Sequence, residues 1–452
     1  MTLKTALSIP QLSAFILTFS LCSFNILAAE IDTNNGNTSV DSSTSTDTES
    51  LSDKDAQKLF ESAMRERDSG DVFSSIKKFE YLLSRRPSLN RARLELAVSY
   101  EQTTRYDDAI NELQSVLDDP TTPESVRLTI LAYLAQLKSD KNKPDSQHLF
   151  SYYTKVGALY NTNINFAPLR GSPVYQIPDG QDTSSPGLDT FFSASHRYTQ
   201  KKPRDIFGQS ALFEWQSQAS WTGNNYTRNS DFNINIISLS TGPALISAGH
   251  WRGSIDIQLD QTYFGSSTLG TFVSLNPLFT LDLGNYQGLT FEASYTENDF
   301  AKTIDNPRDG HTVLAGIAYS TLLANISNGY EIGFRAINQY ADDPQFGFDS
   351  IEIYGGGFYS VSPATSLSLN IHFQQYNFDA ASTGSGGGTA PDIIRDELES
   401  RFTLGYNYDF PAGALFNWTL NAYVSRTKNN SNIDAFSYER TIIGVNLARF
   451  FQ

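Results

Sequence analysis

The sequence predicts a fold that joins a small α-helical domain to an antiparallel transmembrane β-barrel of about fourteen strands. Three observations predict it. The last two-thirds of the chain alternate apolar and polar residues, as residues 366–374 and 416–425 show. A period of two places one class of side chain on each face of a strand, and many such strands are typical of a barrel with a lipid-facing exterior and a wet lumen. The preceding segment has helical periodicity, and the first residues predict export.

Composition and charge narrow the class of protein. The chain has 452 residues, enough for more than one domain, and its 33 basic against 49 acidic residues give a formal net charge of −16. This balance argues against a nucleic-acid-binding surface, which needs clustered Lys and Arg. Aromatic residues make up 13% of the chain, which suits the aromatic girdles of a membrane barrel. The mean hydropathy of −0.33 does not exclude a membrane protein, because alternating strands hide their apolar half from an average.

Residues 1–29 have the features of a secretory signal peptide. Lys4 supplies the positive charge, an apolar run follows over residues 12–27, and two alanines suited to cleavage come next. Cys22, the only cysteine, lies in that run, and the bulky Leu21 before it argues against lipidation there. We therefore expect a mature protein without disulfides or thiolate chemistry. Because no long apolar stretch follows, we expect no spanning helix, and we expect an outer-membrane location in a Gram-negative-type cell.

Residues 30–53 are mainly Ser, Thr, Asn and Asp with little to bury, which predicts a disordered acidic tether. Residues 54–138 are then expected to form a helical domain, and residues 139–148 a short polar linker. Within the helical domain two copies of one unit can be matched. Ile76 corresponds to Ile110, an interval of 34 residues (110 − 76 = 34), and this is the length of a tetratricopeptide repeat.

A third amphipathic helix, over residues 126–137, is expected to cap the repeat stack. Helix pairs of this kind stack into curved surfaces that bind extended or helical peptide segments. A rigid spacer is the alternative interpretation, because a fold does not by itself specify a function.

The barrel is predicted to occupy residues 149–452. Its strands are expected over residues 149–160, 188–199, 206–221, 231–246, 251–264, 269–283, 288–300, 309–322, 327–341, 346–361, 364–379, 394–410, 414–428 and 437–451. Short turns are expected at residues 201–203, 284–285, 362–363 and 411–413, and longer loops near 161–187, 222–230, 301–308, 380–393 and 429–436. In such barrels the short turns face the periplasm, and an even strand count returns both barrel ends to that side. We therefore expect the helical domain in the periplasm.

We find no catalytic, cofactor-binding or metal-binding constellation in the sequence and predict a protein that is not an enzyme. The five histidines lack the spacing of a zinc site, and the chain has no Gly-x-Ser-x-Gly elbow. Seven charged residues are expected to point into the lumen: Asp256, Asp260, Glu331, Arg335, Glu397, Glu399 and Arg401. Glu397 and Glu399 could act as an acid–base pair, but barrel interiors are ordinarily lined with mixed charge, so we expect a structural network.

The end of the first predicted strand carries the most specific motif. Residues 157–168 are Gly-Ala-Leu-Tyr-Asn-Thr-Asn-Ile-Asn-Phe-Ala-Pro. A Gly-rich strand that leads into such an Asn-rich run resembles the surface lipoprotein assembly modifier family, with Asn163, Asn165, Ala167 and Pro168 at the matching positions. Because Asn tolerates turn conformations and bonds to nearby backbone, we expect these residues to shape the exit from the strand rather than to bind a client.

The resemblance, which extends to residues 93–97 of the helical domain, implies a function. Members of the family move partner proteins across the outer membrane to the cell surface, so we expect a client surface lipoprotein or small secreted protein. The helical domain would engage the client or a periplasmic chaperone, and we expect a monomer surrounded by outer-membrane lipid. Two alternatives stay open: a passive porin-like channel, and a surface receptor or adhesin that uses loops 161–187 and 380–393.

Overall fold

The computed structural model describes residues 51–120, 122–142, 147–170, 182–247, 250–323, 328–382 and 392–451. The chain divides into two compact units, one helical and one built from β-strands. The predicted signal peptide and nearly all of the predicted tether lie outside the described residues.

The helices are α1 (Asp53–Asp68), α2 (Val72–Arg85), α3 (Asn90–Gln102), α4 (Tyr106–Leu117) and α5 (Glu124–Asn142). Helix α1 begins where Ser52 Oγ accepts a hydrogen bond from the Asp55 backbone N–H at 3.2 Å, which satisfies one of the free donors of the first turn. The predicted linker is helical as far as Asn142. Its first residues contain no Gly or Pro before Pro144, so nothing ends the helix at residue 139.

Equivalent positions of the two helix pairs, α1–α2 and α3–α4, are buried alike. Ala63 and Ala97 are both 0% exposed, and Phe79 and Leu113 are 0% and 1% exposed. Both pairs of residues are separated by 34 positions (97 − 63 = 34; 113 − 79 = 34). The 34-residue interval therefore separates equally buried positions in the structure, as it separates similar residues in the sequence.

Ion pairs and hydrogen bonds connect neighbouring helices of this unit. Arg67 of α1 lies 2.7 Å from Glu95 of α3. Tyr133 of α5 donates a hydrogen bond to Glu101 of α3. Burial, together with this hydrogen bond, raises the pKa of the Tyr133 hydroxyl, so that the phenol remains a donor at physiological pH.

The β-strands are β1 (His148–Asn161), β2 (Ser185–Thr199), β3 (Arg204–Ile206), β4 (Gln209–Tyr226), β5 (Ile234–Ser247), β6 (Trp251–Phe264), β7 (Ser267–Gly284), β8 (Gln287–Phe300), β9 (Gly310–Leu322), β10 (Asn328–Ala341), β11 (Phe348–Ser362), β12 (Thr365–Ala381), β13 (Ile394–Asp409), β14 (Thr419–Ser431) and β15 (Tyr438–Phe451). From β4 to β15 each strand pairs antiparallel with the next, β15 pairs with β1, β1 with β2, and β2 with β4. Fourteen strands therefore close a barrel, and the predicted fold class is confirmed. The short β3 pairs with β4.

Most predicted strands match the structure closely, and β6 has the predicted bounds. Two differ. Strand β14 begins at Thr419 and not at residue 414, because residues 410–418 form a turn in which Gly413 and Asn417 have positive φ. Strand β4 spans Gln209–Tyr226 and not residues 206–221: the separate β3 precedes it, and residues 222–226, which were predicted to lie in a loop, continue the strand.

We call the end where β1 begins and β15 ends the turn end, and the opposite end the loop end. The described 3-10 helices, at residues 230–232, 306–308, 344–346 and 434–436, all lie in loop-end connections. The predicted alternation of short and long connections has one exception at the loop end. There β6 and β7 are joined tightly through Gly265, whose φ of +61° glycine adopts without steric cost.

Apolar side chains occupy the outward positions around the barrel. On β6, Ile255, Ile257 and Leu259 are 49%, 58% and 40% exposed, and on β13 Phe402 and Leu404 are 45% and 54% exposed. Such exposure on strand after strand far exceeds the apolar patches that soluble proteins tolerate. The barrel therefore has the exterior of a membrane-spanning protein. Among the helices that the structure describes, none is long and apolar enough to cross a membrane.

Strands β3 and β4 form a hairpin at the turn end. Its two-residue turn is Phe207-Gly208, with φ of +54° and +87°, and Asp205 accepts a hydrogen bond from Gly208 N–H at 2.7 Å. Two positive φ values are the mark of a type I′ turn, which favours Asn-Gly. A Phe at the first position costs about 1–2 kcal/mol relative to ordinary backbone. The sequence signal for this turn was therefore weak, and the hairpin was not predicted.

Candidate functional site

The inward-facing side chains change in character along the barrel axis. On β12 and β13, Asn370 is exposed and Thr403 and Asn407 are half-buried towards the turn end, whereas Gln374 and Glu399 towards the loop end are each 2% exposed. Small polar groups with access to solvent thus give way to buried groups within one strand. We call the turn-end half of the lumen the vestibule and the loop-end half the packed layer.

Aromatic side chains contribute much of the packed layer. Phe272 and Phe300 point inward from β7 and β8 with their rings 5.6 Å apart, and both are nearly buried. Phe348 of β11 lies 5.2 Å from the ring of Tyr376 on β12, and each is 2% exposed. Large side chains are buried this completely only where other atoms fill the space in front of them. The loop-end half of the lumen therefore resembles a protein core.

A row of charged and polar side chains runs along the inner surface of the barrel from β8 to β13. Arg335 of β10 lies 2.6 Å from Glu292 of β8 and 3.4 Å from Glu352 of β11. His372 Nδ1 on β12 lies 2.9 Å from Glu352, and its Nε2 lies 3.8 Å from Glu399 of β13. Arg335 thus lies between two carboxylates, and His372 lies between Glu352 and Glu399, so that each buried carboxylate has a polar or cationic neighbour, which lowers the cost of burying it.

Glu399 is the most heavily engaged member of this row. Its side chain is 2% exposed, and its two oxygens accept hydrogen bonds from Arg401 at 2.6 Å and from the Tyr438 hydroxyl on β15 at 2.8 Å. Nearby, Asn429 of β14 donates to Glu397 at 3.0 Å. These side-chain hydrogen bonds connect β13, β14 and β15 on the lumen side, in addition to the backbone hydrogen bonds between the strands.

Gly316 on β9 makes the Arg335–Glu292 pair possible. It lies in register with Glu292 on one side and Arg335 on the other. A Cβ at this position would lie 2.7 Å from the Glu292 carboxylate and 3.0 Å from Arg335 Cγ. The glycine therefore leaves room for two side chains to meet across an intervening strand.

We expect Gly316→Val to destabilise the barrel by about 1–3 kcal/mol, because the added methyls separate a buried ion pair and overpack the wall. The measurement is the urea midpoint of unfolding in lipid vesicles. Gly355→Val is the control, since that residue lies on the outer face of β11 and its nearest neighbour to an added Cβ is 3.4 Å away. Equal midpoints for the two variants would contradict the assigned role of Gly316.

The segment after β1 turns into the mouth of the lumen. We call residues 162–170 the inner loop. Its Phe166 ring lies 5.4 Å from the ring of Tyr438 and 4.4 Å from the Arg440 guanidinium, and both partners point inward from β15. Phe166 has a φ of +50°, and Ile164 is 2% exposed. The inner loop therefore adds to the packed layer rather than extending outside the barrel.

The motif residues singled out from the sequence lie in this inner loop. Asn163, 3% exposed, donates to the backbone oxygens of Ala167 at 2.9 Å and Glu439 at 3.1 Å, and it accepts from Ala167 N–H at 2.9 Å. Asn165 accepts from Thr183 N–H at 2.9 Å. Pro168 is half-buried beside Ala167. These bonds fold the inner loop and fasten it to β15.

The charges expected in the lumen occupy inward positions on their strands. Asp256, for example, accepts a hydrogen bond from Asn276 at 3.1 Å, and Asp260 is 0% exposed and bonded to Gln258 at 2.8 Å. Sequence reasoning missed Arg440 and Tyr438. Their alternation with the outward residues of β15 was the available signal for them. Among the described residues no group of three or more His, Cys, Asp or Glu side chains could hold a metal ion.

Comparison with known proteins finds low similarity to solved structures of outer-membrane proteins. No protein-family model matches the chain, and no curated protein sequence is significantly similar to it. Solved structures that resemble it include OmpT, an outer membrane protein of Vibrio cholerae (TM-score 0.38, 8% identity, 68% of this chain and 99% of that one). Another is the anion-selective porin from Comamonas acidovorans (TM-score 0.38, 9% identity, 67% and 99%). OpdQ of Pseudomonas aeruginosa is a third (TM-score 0.32, 9% identity, 67% and 97%). Likeness at this level carries no inference about function.

Proposed function

We propose that this protein transfers specific partner proteins across the outer membrane to the cell surface, without catalysing a reaction. The observation that carries the proposal is the asymmetry of the lumen. A polar vestibule lies at the turn end, and a packed layer with the inner loop lies at the loop end. Side chains fill the lumen at one end. Such a lumen is better suited to a transporter that opens for its client than to a permanently open pore.

The helical unit supports the same proposal. Its two helix pairs repeat at 34 residues, the tetratricopeptide length, and stacks of such pairs present surfaces that bind peptide segments. The unit precedes β1 in the chain, and β1 begins at the turn end. With short turns facing the periplasm, the helical domain is proposed to lie there and to raise the local concentration of a client or its chaperone. The resemblance of the motif around Asn163 to the surface lipoprotein assembly modifier family agrees with this role.

A passive channel for small hydrophilic solutes is the second candidate, favoured by the polar vestibule. Half-buried or exposed hydroxyls and amides such as Thr403, Asn370 and Asn407 line it, and large barrels commonly hold water. The packed layer weighs against it, because side chains of Phe, Tyr, Glu and Arg fill the space that permeating solutes would need.

Deletion of residues 54–138 tests the role of the helical domain. We expect surface display of a client encoded beside this gene to be lost, while the barrel still assembles in the outer membrane. The measurements are antibody labelling of the client on intact cells and the heat-dependent gel mobility of the barrel. Unchanged display with a normally assembled barrel would remove the helices from the mechanism.

A further inference from the structure

Arg449 is an outward-facing cation near the turn end of the barrel. It shares a face of β15 with Val445 and Phe451, which are 47% and 40% exposed, whereas Ala448 on the other face is 3% exposed. Its register partner on β1 is Thr154. Arg449 therefore lies on the membrane-facing side of the wall, at the seam where the first and last strands of the barrel pair.

Aromatic rings, and not carboxylates, surround the Arg449 guanidinium. Its central carbon lies 4.7 Å from the centre of the Phe451 ring and 5.7 Å from that of the Trp418 ring. Within the described part of the chain, its buried Nε has no hydrogen-bond partner and no carboxylate forms an ion pair with it. Arg426, an outward-facing arginine at the loop end, does pair with Glu439. A cation on a membrane-facing surface is costly, so Arg449 calls for an anion from another molecule.

The position of Arg449 along its strand corresponds to the headgroup region of a bilayer. Arg449 lies two residues before the described end of β15 at Phe451 (451 − 449 = 2), or about 7 Å of strand. Trp418 directly precedes β14 at the same end of the barrel. Trp rings and long cationic side chains commonly lie at this level, where they reach the headgroups. The expected anion is therefore the phosphate of a phospholipid.

An apolar groove lies beside Arg449 on the same outer surface. Its volume is about 520 Å³, within the range of about 300–1,000 Å³ that ligand sites occupy. Ala194 and Ala219, paired across β2 and β4, leave a depression between larger side chains. Four aromatic residues border it: Tyr152, Phe192, Trp221 and Phe451. Because the Phe451 ring also contacts Arg449, a ligand with an apolar chain and an anionic group can reach both.

We propose that this groove holds one acyl chain of an anionic phospholipid whose phosphate pairs with Arg449. The lipid lies across β15, β1, β2 and β4, so it bridges the pairing of the first strand with the last that closes the barrel. Charge selects the headgroup, because the described outward neighbours of Arg449 on β14 and β1 carry no negative charge. The inference goes beyond the proposed function, since a protein transporter and a passive channel could both use this outer surface.

Native mass spectrometry of the purified, delipidated protein in detergent tests the site. The protein is titrated with dioleoyl phosphatidylglycerol, with dioleoyl phosphatidylcholine and with inorganic phosphate. We expect one phosphatidylglycerol per barrel at saturation, bound about tenfold more tightly than phosphatidylcholine and not displaced by inorganic phosphate. Arg449→Gln should weaken the binding of phosphatidylglycerol about tenfold, the effect of losing one charge-assisted contact. Ala194→Phe should abolish it by filling the groove.

Arg426→Gln and Ala158→Phe are the matched controls. Arg426 is the outward-facing arginine at the loop end, and Ala158 is an exposed, outward-facing alanine of β1 outside the groove. Neither change should alter the affinity for phosphatidylglycerol. Heat-dependent gel mobility, measured on all four variants, establishes that each barrel has assembled before its lipid binding is compared.

Five results would overturn the proposal. Equal affinity for the two lipids, or unchanged affinity in Arg449→Gln, would indicate an adventitious lipid only. Binding that survives Ala194→Phe would show that no acyl chain occupies the groove. Displacement by inorganic phosphate would indicate a simple anion site. A dimeric mass that Ala194→Phe removes, without bound lipid, would identify a second copy of the chain as the occupant. Absence of saturable binding would mean that the groove is already filled by a segment of this chain outside the described residues.

Discussion

Glu399→Gln is expected to destabilise the barrel by about 3–5 kcal/mol, the usual cost of removing one partner from a buried ion pair. Glu399 accepts from Arg401 and from Tyr438 and faces His372 at 3.8 Å, while its own side chain is 2% exposed. Glutamine keeps the size of the residue but removes the charge, so that the nearly buried Arg401 lies next to a neutral amide. The urea midpoint of unfolding in lipid vesicles measures the effect.

Glu439→Gln provides the matched control on the opposite face of the barrel wall. Glu439 pairs with Arg426, and the side chains of this pair are 28% and 61% exposed. Exposed pairs contribute about 0–1 kcal/mol, so its midpoint should hardly move. If both variants unfolded at the same urea concentration, the buried network would not be what holds β13 to β15.

Asn163→Ala is expected to release the inner loop and open the loop end of the lumen. Three hydrogen bonds of the Asn163 amide hold the loop on itself and on the Glu439 backbone. Their loss leaves buried backbone groups without partners, at about 1–3 kcal/mol each. Swinging the loop outward restores those bonds through water. Single-protein conductance in a planar bilayer should therefore rise severalfold over that of the unaltered barrel.

Asn229→Ala is the corresponding control, because Asn229 also caps a loop-end segment but does so in solvent, through one bond to the Asp231 N–H at 3.2 Å. Its conductance should equal that of the unaltered protein. An unaltered barrel that already conducts as strongly as the Asn163 variant would show that the inner loop does not obstruct the lumen.

The strands of the barrel were largely predictable because the pattern that identifies a strand lies within the strand itself. Each strand carries its own alternation, so residues such as Ile255, Ile257 and Leu259 identify their outward face without reference to any other strand. Turns with strong signals, such as Gly284-Asn285, were found for the same reason. The Phe207-Gly208 turn was missed because its first residue is one that such turns disfavour.

The candidate site was predictable only in part because it depends on contacts between distant segments. Alternation placed Arg335, Glu397, Glu399 and Arg401 in the lumen, but it could not show which ions would meet. The Arg335–Glu292 pair crosses a strand through Gly316, and that glycine has no distinctive sequence context. Likewise the motif containing Asn163 indicated a turn, whereas the direction of that turn, into the lumen and onto β15, comes from tertiary packing.

The central claim, that the barrel passes proteins rather than small solutes, is tested most directly in liposomes that contain the purified protein alone. Two quantities are measured on one preparation: swelling in a small sugar, and transfer of the protein encoded beside this gene, followed by its protection from added protease. We predict little swelling together with protein transfer that depends on the barrel. Rapid swelling without any transfer would contradict the claim and identify the barrel as a passive channel.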